Sequence, residues 1–290
     1  YNTHYLAMNM NMVANEAFLD TASVRSSVVS HAKTLGYTPN SVRAPIAFVN
    51  VTLNNIGNLT SATIPVGTVF TTVIDDVNYQ FVTVAEHSTQ IQNGIISFTN
   101  LPIYEGTYVT NRYTVDVDNV DQKFYVNDEN GDTTTLIVDV FDNSSSTSST
   151  TFTLATDTTQ TASDSNVYFL QESVDGKFEI YFGDGIIGKA LSDGNIVRMR
   201  YVVTNKAKAN GASSFSTSAT ISGITNITTA TVSAASGGAE KESIQSIKFN
   251  APLDYAAQGR AVTVNDFKAV VPKVYANAKS VQVYGGEDND

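Results

Sequence analysis

The sequence predicts an α+β fold: a β-rich multidomain fragment with an N-terminal helical segment and a small C-terminal α/β domain. Apolar residues recur at helical spacing near both ends of the sequence, whereas alternating or β-branched runs separated by turn residues fill the middle. We expect four regions. They are a helical segment at 1–40, one or more β-rich domains at 41–212, a strand or connector at 213–238, and a small α/β domain at 239–290, which we expect to be incomplete at its C-terminal end.

Composition limits the classes of function. The chain has 290 residues, of which 42% are hydrophobic, so it can bury a substantial core. It begins with Tyr, and we therefore expect a fragment of a longer polypeptide. The absence of cysteine excludes disulfides, thiolate zinc sites and cysteine nucleophiles. A net charge of −11 opposes nonspecific binding to nucleic acid or anionic lipid, and no apolar run approaches the roughly 20 residues of a membrane span. We expect neither nucleic acid nor membrane as a partner.

Two helices are predicted in the N-terminal segment. The first carries an apolar face made of Tyr5, Met8 and Met12. The second is expected to begin near Asp20 or Thr21 and to end at Gly36. Its apolar stripe consists of Val24, Val28, His31 and Leu35.

His31 has two interpretations, a functional one as a pH switch or ligand and a structural one as a packed histidine. We favour a packed histidine with a local hydrogen bond, because no second ligand lies nearby in the sequence.

The middle of the chain is expected to form short strands of a sandwich or a partly open barrel. The predicted strands are Ala47–Leu53, Thr68–Val73, Tyr79–Val84, Ile95–Phe98, Tyr108–Val117, Thr135–Phe141 and Asn166–Leu170. The Ser/Thr-rich stretch 142–165 is expected to hold one exposed strand around Phe152 and Leu154, with loose flanks. A further strand or packed connector follows at 213–236.

The C-terminal region is expected to be helical again. One helix contains Ile244 and Ile247 and ends at Pro252; a second begins at Thr263, runs to Pro272, and is followed by a strand at Ser280–Tyr284. Thr263 with Asp266 resembles a capping box, and Val262 with Phe267 has the spacing of a hydrophobic staple. We expect Ile244, Ile247, Phe267 and Val270 to form a small α/β core.

Gly183, Gly185 and Gly188 match the G-x-G-x-x-G pattern of dinucleotide-binding sites. Such a site needs a strand before the glycines and a helix after them, because the free amides of the helix N-terminus hold the pyrophosphate. The strand is present at Phe178–Phe182, but only Lys189–Leu191 separate Gly188 from the next turn and strand. We therefore predict paired strands joined by glycine turns, and no cofactor site.

Two acidic stretches have the residue types of cation sites. Asp116, Asp118 and Asp121 could share a strand face, but a solvated face is favoured because no oxygen-ligand loop surrounds them. The stretch 127–131 hints at a calcium loop, yet Val126 and Ile137 would occupy its first and twelfth positions, so a polar hairpin turn is the better interpretation. We predict no catalytic residue, no cofactor-binding residue, no metal ligand and no cofactor.

Two ordered blocks of sequence resemble the baseplate J-like family of contractile phage tails. The first consists of Val167–Leu170, Phe178–Gly188, Gly194–Val197 and Asn210-Gly211, and the second of Gly237–Ile244, Asn250–Pro252 and Arg260–Phe267. The opening stretches 11–16 and 26–37 more closely resemble the wedge subunits of T-even-type contractile-tailed bacteriophages.

The resemblance implies a non-enzymatic structural protein of the virion tail baseplate, assembled in the host cytoplasm. It implies that the subunit forms homodimers, links neighbouring wedges into a ring around the hub, and rearranges when the tail contracts. The implied partners are other copies of the chain and the other baseplate wedge proteins. The N-terminal helices would then pack against partner helices.

Two other classes of function stay open at this point. A carbohydrate-binding or adhesion module would use its tyrosines, of which the chain has 14, as a cluster around a concave face. An NAD-dependent enzyme would require saturable nucleotide binding at the glycine motif.

Overall fold

The structure is a computed structural model, and it describes residues 2–155, 161–274 and 281–284. Its contacts divide the chain into two compact units. Unit 1 comprises residues 1–40, 170–179 and 242–290, and unit 2 comprises residues 41–169 and 180–241. The predicted α+β class is confirmed, with helices before and after a β-rich middle. The four regions inferred from sequence stay a prediction.

The strands form two larger sheets and a small one. The strands are β1 (Ile46–Leu53), β2 (Ser61–Ile64), β3 (Val69–Ile74), β4 (Val77–Val82), β5 (His87–Gln90), β6 (Ile96–Glu105), β7 (Thr107–Thr114), β8 (Phe124–Val126), β9 (Gly131–Phe141), β10 (Thr150–Leu154), β11 (Val167–Glu172), β12 (Phe178–Phe182), β13 (Ile196–Val203) and β14 (Ile227–Ser236). The five-stranded sheet has the order β14-β1-β6-β4-β3, the seven-stranded sheet has the order β7-β13-β9-β10-β11-β12-β8, and the two-stranded sheet pairs β2 with β5.

The five-stranded sheet covers the main core of unit 2. Ala47, Val49, Val51 and Leu53 alternate along β1 and are fully or almost fully buried, as the period of a strand requires. Burying each of the larger side chains contributes about 1.5–3 kcal/mol. Phe81 and Phe215 pack edge to face inside this core, with ring centroids 4.9 Å apart.

The strand predicted at Ile95–Phe98 is longer in the structure and continues to Glu105. Asn100 has a positive φ of 55° and donates its backbone N–H to Asn50 Oδ1 at 2.9 Å. The β1–β6 register shifts between Val49 and Val51, because β6 holds one extra residue there. The Asn-Leu-Pro sequence therefore forms a bulge inside a strand, where sequence alone suggests a turn.

Two predictions about the seven-stranded sheet are wrong. The strands on either side of the glycine motif, β12 and β13, are not paired, because β9, β10 and β11 lie between them in the sheet. The Ser/Thr-rich stretch does form a strand, β10, but Phe152 is 3% exposed and the strand is paired on both sides. Phe182 makes edge-to-face contacts with Phe124 and Phe152, at centroid distances of 5.5 and 5.4 Å.

Unit 1 contains helices α1 (Asn2–Glu16), α2 (Arg25–Thr34), α3 (Ile244–Ala257) and α4 (Val264–Val274). No helix among the described residues is long and apolar enough to cross a bilayer. The core of the unit joins α2 and α3. Its buried residues are Ala22, Val28, Val29, Ala32, Tyr37, Ile247 and Ala251, with Ile244 packed against them. The predicted core is therefore wrong in part: Ile244 and Ile247 pack against α2, whereas Phe267 is 40% exposed.

Several predicted helix bounds differ from the structure. The second helix begins at Arg25 and not near Asp20, because the Ser23 and Val24 amides donate to the Glu16 side chain and the chain is still extended at Val24. Pro252 lies inside α3 and does not end it; the buried Ile247 and Ala251 hold that part of the helix on the core.

At the end of the C-terminal region, one prediction is confirmed and two are wrong. The capping box is confirmed, since Thr263 N–H donates to Asp266 Oδ2 at 2.8 Å and Asp266 N–H donates to Thr263 Oγ1 at 3.2 Å. The last helix continues past Pro272 to Val274. Residues 281–284 form no strand, because no neighbouring strand pairs with them among the described residues, and Ser280 lies outside those residues.

Candidate interaction surfaces

Helix α1 is the largest exposed apolar element of unit 1. Every residue from 3 to 15 is exposed, including Leu6 at 64% and Met10 at 66%. A helix of 15 residues without tertiary packing is marginally stable in water. The sequence of α1 contains no Asp, Glu, Lys or Arg before Glu16. Such a helix gains most of its stability by packing against another surface.

The apolar residues of α1 form two stripes. Tyr5, Met8 and Met12 make the predicted one, and Leu6, Met10 and Val13 make a second at i, i+4 and i+7. At about 100° per residue, the centre of the second stripe is rotated from the centre of the first by about 130°, a little more than a third of a turn. Helices that are apolar over so wide an arc are typically buried between neighbours.

The C-terminal end of α1 is fixed to the start of α2. The Glu16 carboxylate accepts hydrogen bonds from Ser23 N–H and from Ser23 Oγ, both at 2.8 Å. The backbone donor of Ser23, with the hydroxyls of Ser27 and Ser23, lowers the pKa of Glu16 to about 2. His31 Nε2 lies 2.8 Å from the Glu16 carbonyl oxygen, which confirms His31 as a packed histidine with a local hydrogen bond.

The glycine motif forms a compact loop. Gly185 donates its N–H to the Gly188 carbonyl at 3.0 Å, and both residues have positive φ, 86° and 80°. Asp184 Oδ1 accepts the amides of Ile186 and Ile187 at 2.9 and 3.0 Å, so these donors are already used. In this fully described stretch no helix follows Gly188 before β13 begins at Ile196. The geometry that would hold a pyrophosphate is therefore not formed.

The two acidic stretches form turns. Asp116 and Asp118 lie beyond the end of β7 and not on a strand face, and Asp116 Oδ1 accepts Asp118 N–H at 3.1 Å. Asp128 accepts Asn130 N–H at 2.8 Å in the predicted polar turn. That turn closes no hairpin, because β8 and β9 are not neighbours in the sheet. Among the described residues no group of three or more His, Cys, Asp or Glu side chains is placed to hold a metal ion.

Unit 2 has an open groove of about 460 Å³ over one face of the seven-stranded sheet. Its floor is formed by Arg112 on β7, Phe141 on β9 and Arg198 on β13, and its rim by the polar loop 143–147. The lining contains no tyrosine, so this concave face lacks the tyrosine cluster that the carbohydrate-binding interpretation requires.

A network of charged side chains underlies the groove. Asp139 Oδ2 accepts from Arg198 Nη2 at 2.9 Å and from Arg200 Nη2 at 2.6 Å, and Asp139 Oδ1 accepts from Thr151 Oγ1 at 2.8 Å. Burial by itself would raise the pKa of Asp139, but the hydrogen bonds from Thr151 and Arg198 and the two guanidinium charges lower it overall. No local sequence pattern indicates this network, because its members lie on three different strands, β9, β10 and β13.

Comparison with known proteins gives two matches. Residues 109–213, which include most of β7 and all strands to β13, match the family model of the third domain of the bacteriophage baseplate wedge protein gp6. The chain is 28% identical, over 322 aligned residues, to the baseplate wedge protein gp6 of Enterobacteria phage T4. The alignment covers 98% of this chain and 46% of that protein, so the chain spans about half the length of the relative.

Proposed function

We propose a function from the premise that the chain is a homologue of the phage baseplate wedge protein gp6. The chain is a structural component of a contractile phage tail and is located in the virion baseplate. Its role is carried by interfaces and not by catalysis, and homology to a structural protein supports this. No catalytic, cofactor-binding or metal-ligating residue takes part.

The finer proposal is that the chain forms homodimers and links neighbouring wedges into a ring that rearranges on tail contraction. Its partners are other copies of itself and other baseplate wedge proteins. The observation that carries this proposal is α1, whose apolar side chains are exposed along its length. Two stripes on one helix suit a bundle in which α1 contacts two neighbours at once.

The exposed side chains of α1 can contribute free energy to an association when they become buried. Burying a Met, Leu or Tyr side chain contributes about 1.5–3 kcal/mol, and the flexible methionines fill irregular gaps between helices. Tyr5, Leu6, Met8 and Val13 are all more than 60% exposed, so most of this free energy is available to an association.

Light scattering and sedimentation velocity test the proposal, using the full-length parent alone and co-expressed with neighbouring wedge proteins. We expect self-association, and weaker association when Met8 and Met12 are replaced by serine. Val120→Ser is the matched control, because Val120 is 92% exposed in a loop outside α1. A parent that stays monomeric at every accessible concentration and binds no wedge protein would contradict the proposal.

Two further assays separate the other classes of function. A glycan array would detect a sugar-binding module, and fluorescence titration with NADH would detect a nucleotide site. We expect no saturable binding in either assay.

A further inference from the structure

The groove in unit 2 has an unbalanced charge. Arg112, Arg198 and Arg200 lie on one face of the sheet, and Asp139 is the carboxylate that binds two of them. None of the nine residues that line the groove is acidic. This cationic surface occurs in a chain whose net charge is −11, so it is a local exception to the overall charge.

Arg112 and Arg198 are opposite each other in the β7–β13 register. Like charges in directly opposite positions destabilise a sheet. Both guanidinium groups lie near the Phe141 ring, with their Cζ atoms 6.0 and 4.7 Å from its centroid. Contact with an aromatic ring orients a guanidinium group, and it leaves the edge donors of Arg112 open to a ligand, whereas Arg198 donates to Asp139.

The three arginines differ in how far they are neutralised. Arg198 and Arg200 share the Asp139 carboxylate, and their side chains are 23% and 21% exposed. Arg112 is exposed and has the Phe141 ring as its neighbour, with no carboxylate partner among the described residues. The groove and its surroundings therefore have more hydrogen-bond donors and more positive charge than the single Asp139 carboxylate neutralises.

The position of the groove makes it accessible. Strand β7 is at the edge of the seven-stranded sheet, and Arg112 on this strand is exposed. The rim residues Asn143, Ser144 and Thr147 provide amide and hydroxyl groups beside the guanidinium groups. A volume of about 460 Å³ holds a few side chains of an extended peptide.

We propose that the Arg112–Phe141–Arg198 groove binds an acidic segment of a protein partner. A carboxylate of that segment binds the Arg112 guanidinium, and the polar rim binds its backbone. Carboxylate is the ligand whose planar geometry matches the guanidinium fork. Nucleic acid is disfavoured because its affinity depends on many phosphate contacts, and the groove offers two arginines in a chain whose net charge is −11. The groove is separate from α1, on which the proposed assembly role rests, and it adds the chemical class of one binding partner.

Fluorescence anisotropy with a labelled hexaglutamate peptide tests the proposal on the complete chain at low ionic strength. We expect saturable binding that weakens about tenfold in Arg112→Gln, as the loss of a charge-assisted hydrogen bond implies, and that weakens further in Arg112→Glu. Lys208→Gln is the control, because Lys208 is exposed elsewhere in unit 2 and the change in net charge is the same. A hexaserine peptide with the same label should not bind.

Three outcomes would overturn the proposal. They are no saturable binding of hexaglutamate, an equal loss in Arg112→Gln and Lys208→Gln, and tighter binding of a single-stranded oligonucleotide to the same groove. Circular dichroism of each variant shows whether it is folded. If Arg112→Gln were unfolded, Arg112→Lys would replace it, with an expected weakening of binding because lysine keeps the charge and loses the fork.

Discussion

Tyr37 and Glu242 are 205 residues apart in sequence, and the Tyr37 hydroxyl donates to the Glu242 carboxylate, with oxygen distances of 2.8 and 2.9 Å. The same carboxylate accepts from Asn40 N–H at 2.9 Å and from Ser246 Oγ at 2.7 Å. Burial, followed by the charge of Glu242, raises the pKa of Tyr37, so its hydroxyl remains a donor at neutral pH. This hydrogen-bonded cluster joins the segment after α2 to the start of α3 in unit 1.

Glu242→Gln is expected to lower the free energy of unfolding by about 2 kcal/mol, because charge-assisted hydrogen bonds are lost in a buried site. Urea unfolding followed by circular dichroism measures this. Glu240→Gln is the control, since that side chain is 70% exposed and its ion pair with Lys206 contributes little. Equal effects of the two substitutions would contradict the prediction.

Asp139→Asn tests the charged network through its pH dependence. The folded-state pKa of Asp139 is lowered below the unfolded value of about 3.9, so its carboxylate stabilises the fold above that pH. This contribution is lost as the pH falls through the folded-state pKa. We expect the variant to be less stable than the wild type by about 2 kcal/mol at neutral pH, and the difference to shrink in acid.

The measurement for Asp139→Asn is urea unfolding at pH 7 and in acid. Asp118→Asn is the control, because Asp118 is exposed and should show a small difference at both pH values. A difference for Asp139→Asn that grows in acid would show that the sign of the linkage is wrong.

Gly183 and Gly185 are expected to tolerate alanine differently. A Cβ on Gly183 would overlap the backbone carbonyl of Gly188, whereas a Cβ on Gly185 would meet only Ala190 Cβ, at 3.9 Å. Gly185→Ala should therefore cost about 1–2 kcal/mol from its positive φ alone. Gly183→Ala should cost more, about 3 kcal/mol, because backbone must move. Thermal unfolding ranks the two variants, and the opposite ranking would contradict the loop geometry.

The amides of α1 are expected to exchange rapidly with deuterium in the isolated chain, because residues 3–15 are all exposed. Binding of a wedge partner should slow this exchange, while α2 should be protected in both states. Mass spectrometry of peptides from the two helices measures the difference. Strong protection of α1 in a monomeric sample would show that the helix needs no partner.

The sequence predicted those elements whose signals are local. The alternation along β1 and the Thr263–Asp266 capping box were both found from spacing alone, and both are confirmed. The start of α2 was missed because the Glu16 side chain, from the preceding helix, holds the Ser23 amide. The burial of Phe152 was not predicted, because its neighbours are mostly Ser and Thr and show no apolar alternation. In the structure its strand is paired on both sides.

The arrangement of strands could not be obtained from pattern alone. Alternation identifies β12 and β13 as strands but says nothing about which strand lies beside each. For the same reason the Arg112, Arg198 and Phe141 side chains could not be brought together in advance, since each is on a different strand. By contrast, helical spacing alone predicts an apolar stripe on α1. It identified Tyr5, Met8 and Met12 but not the second stripe of Leu6, Met10 and Val13.

Because unit 1 takes residues from before 41 and after 241, its core has a consequence for synthesis on the ribosome. Val28 is translated early, but Ile247, which packs in the same core, emerges on the order of tens of seconds later at typical elongation rates. During that interval the apolar side of α2 in the nascent polypeptide cannot pack against α3, because α3 has not yet been synthesised. Unit 1 can therefore complete its native core only after translation has passed α3.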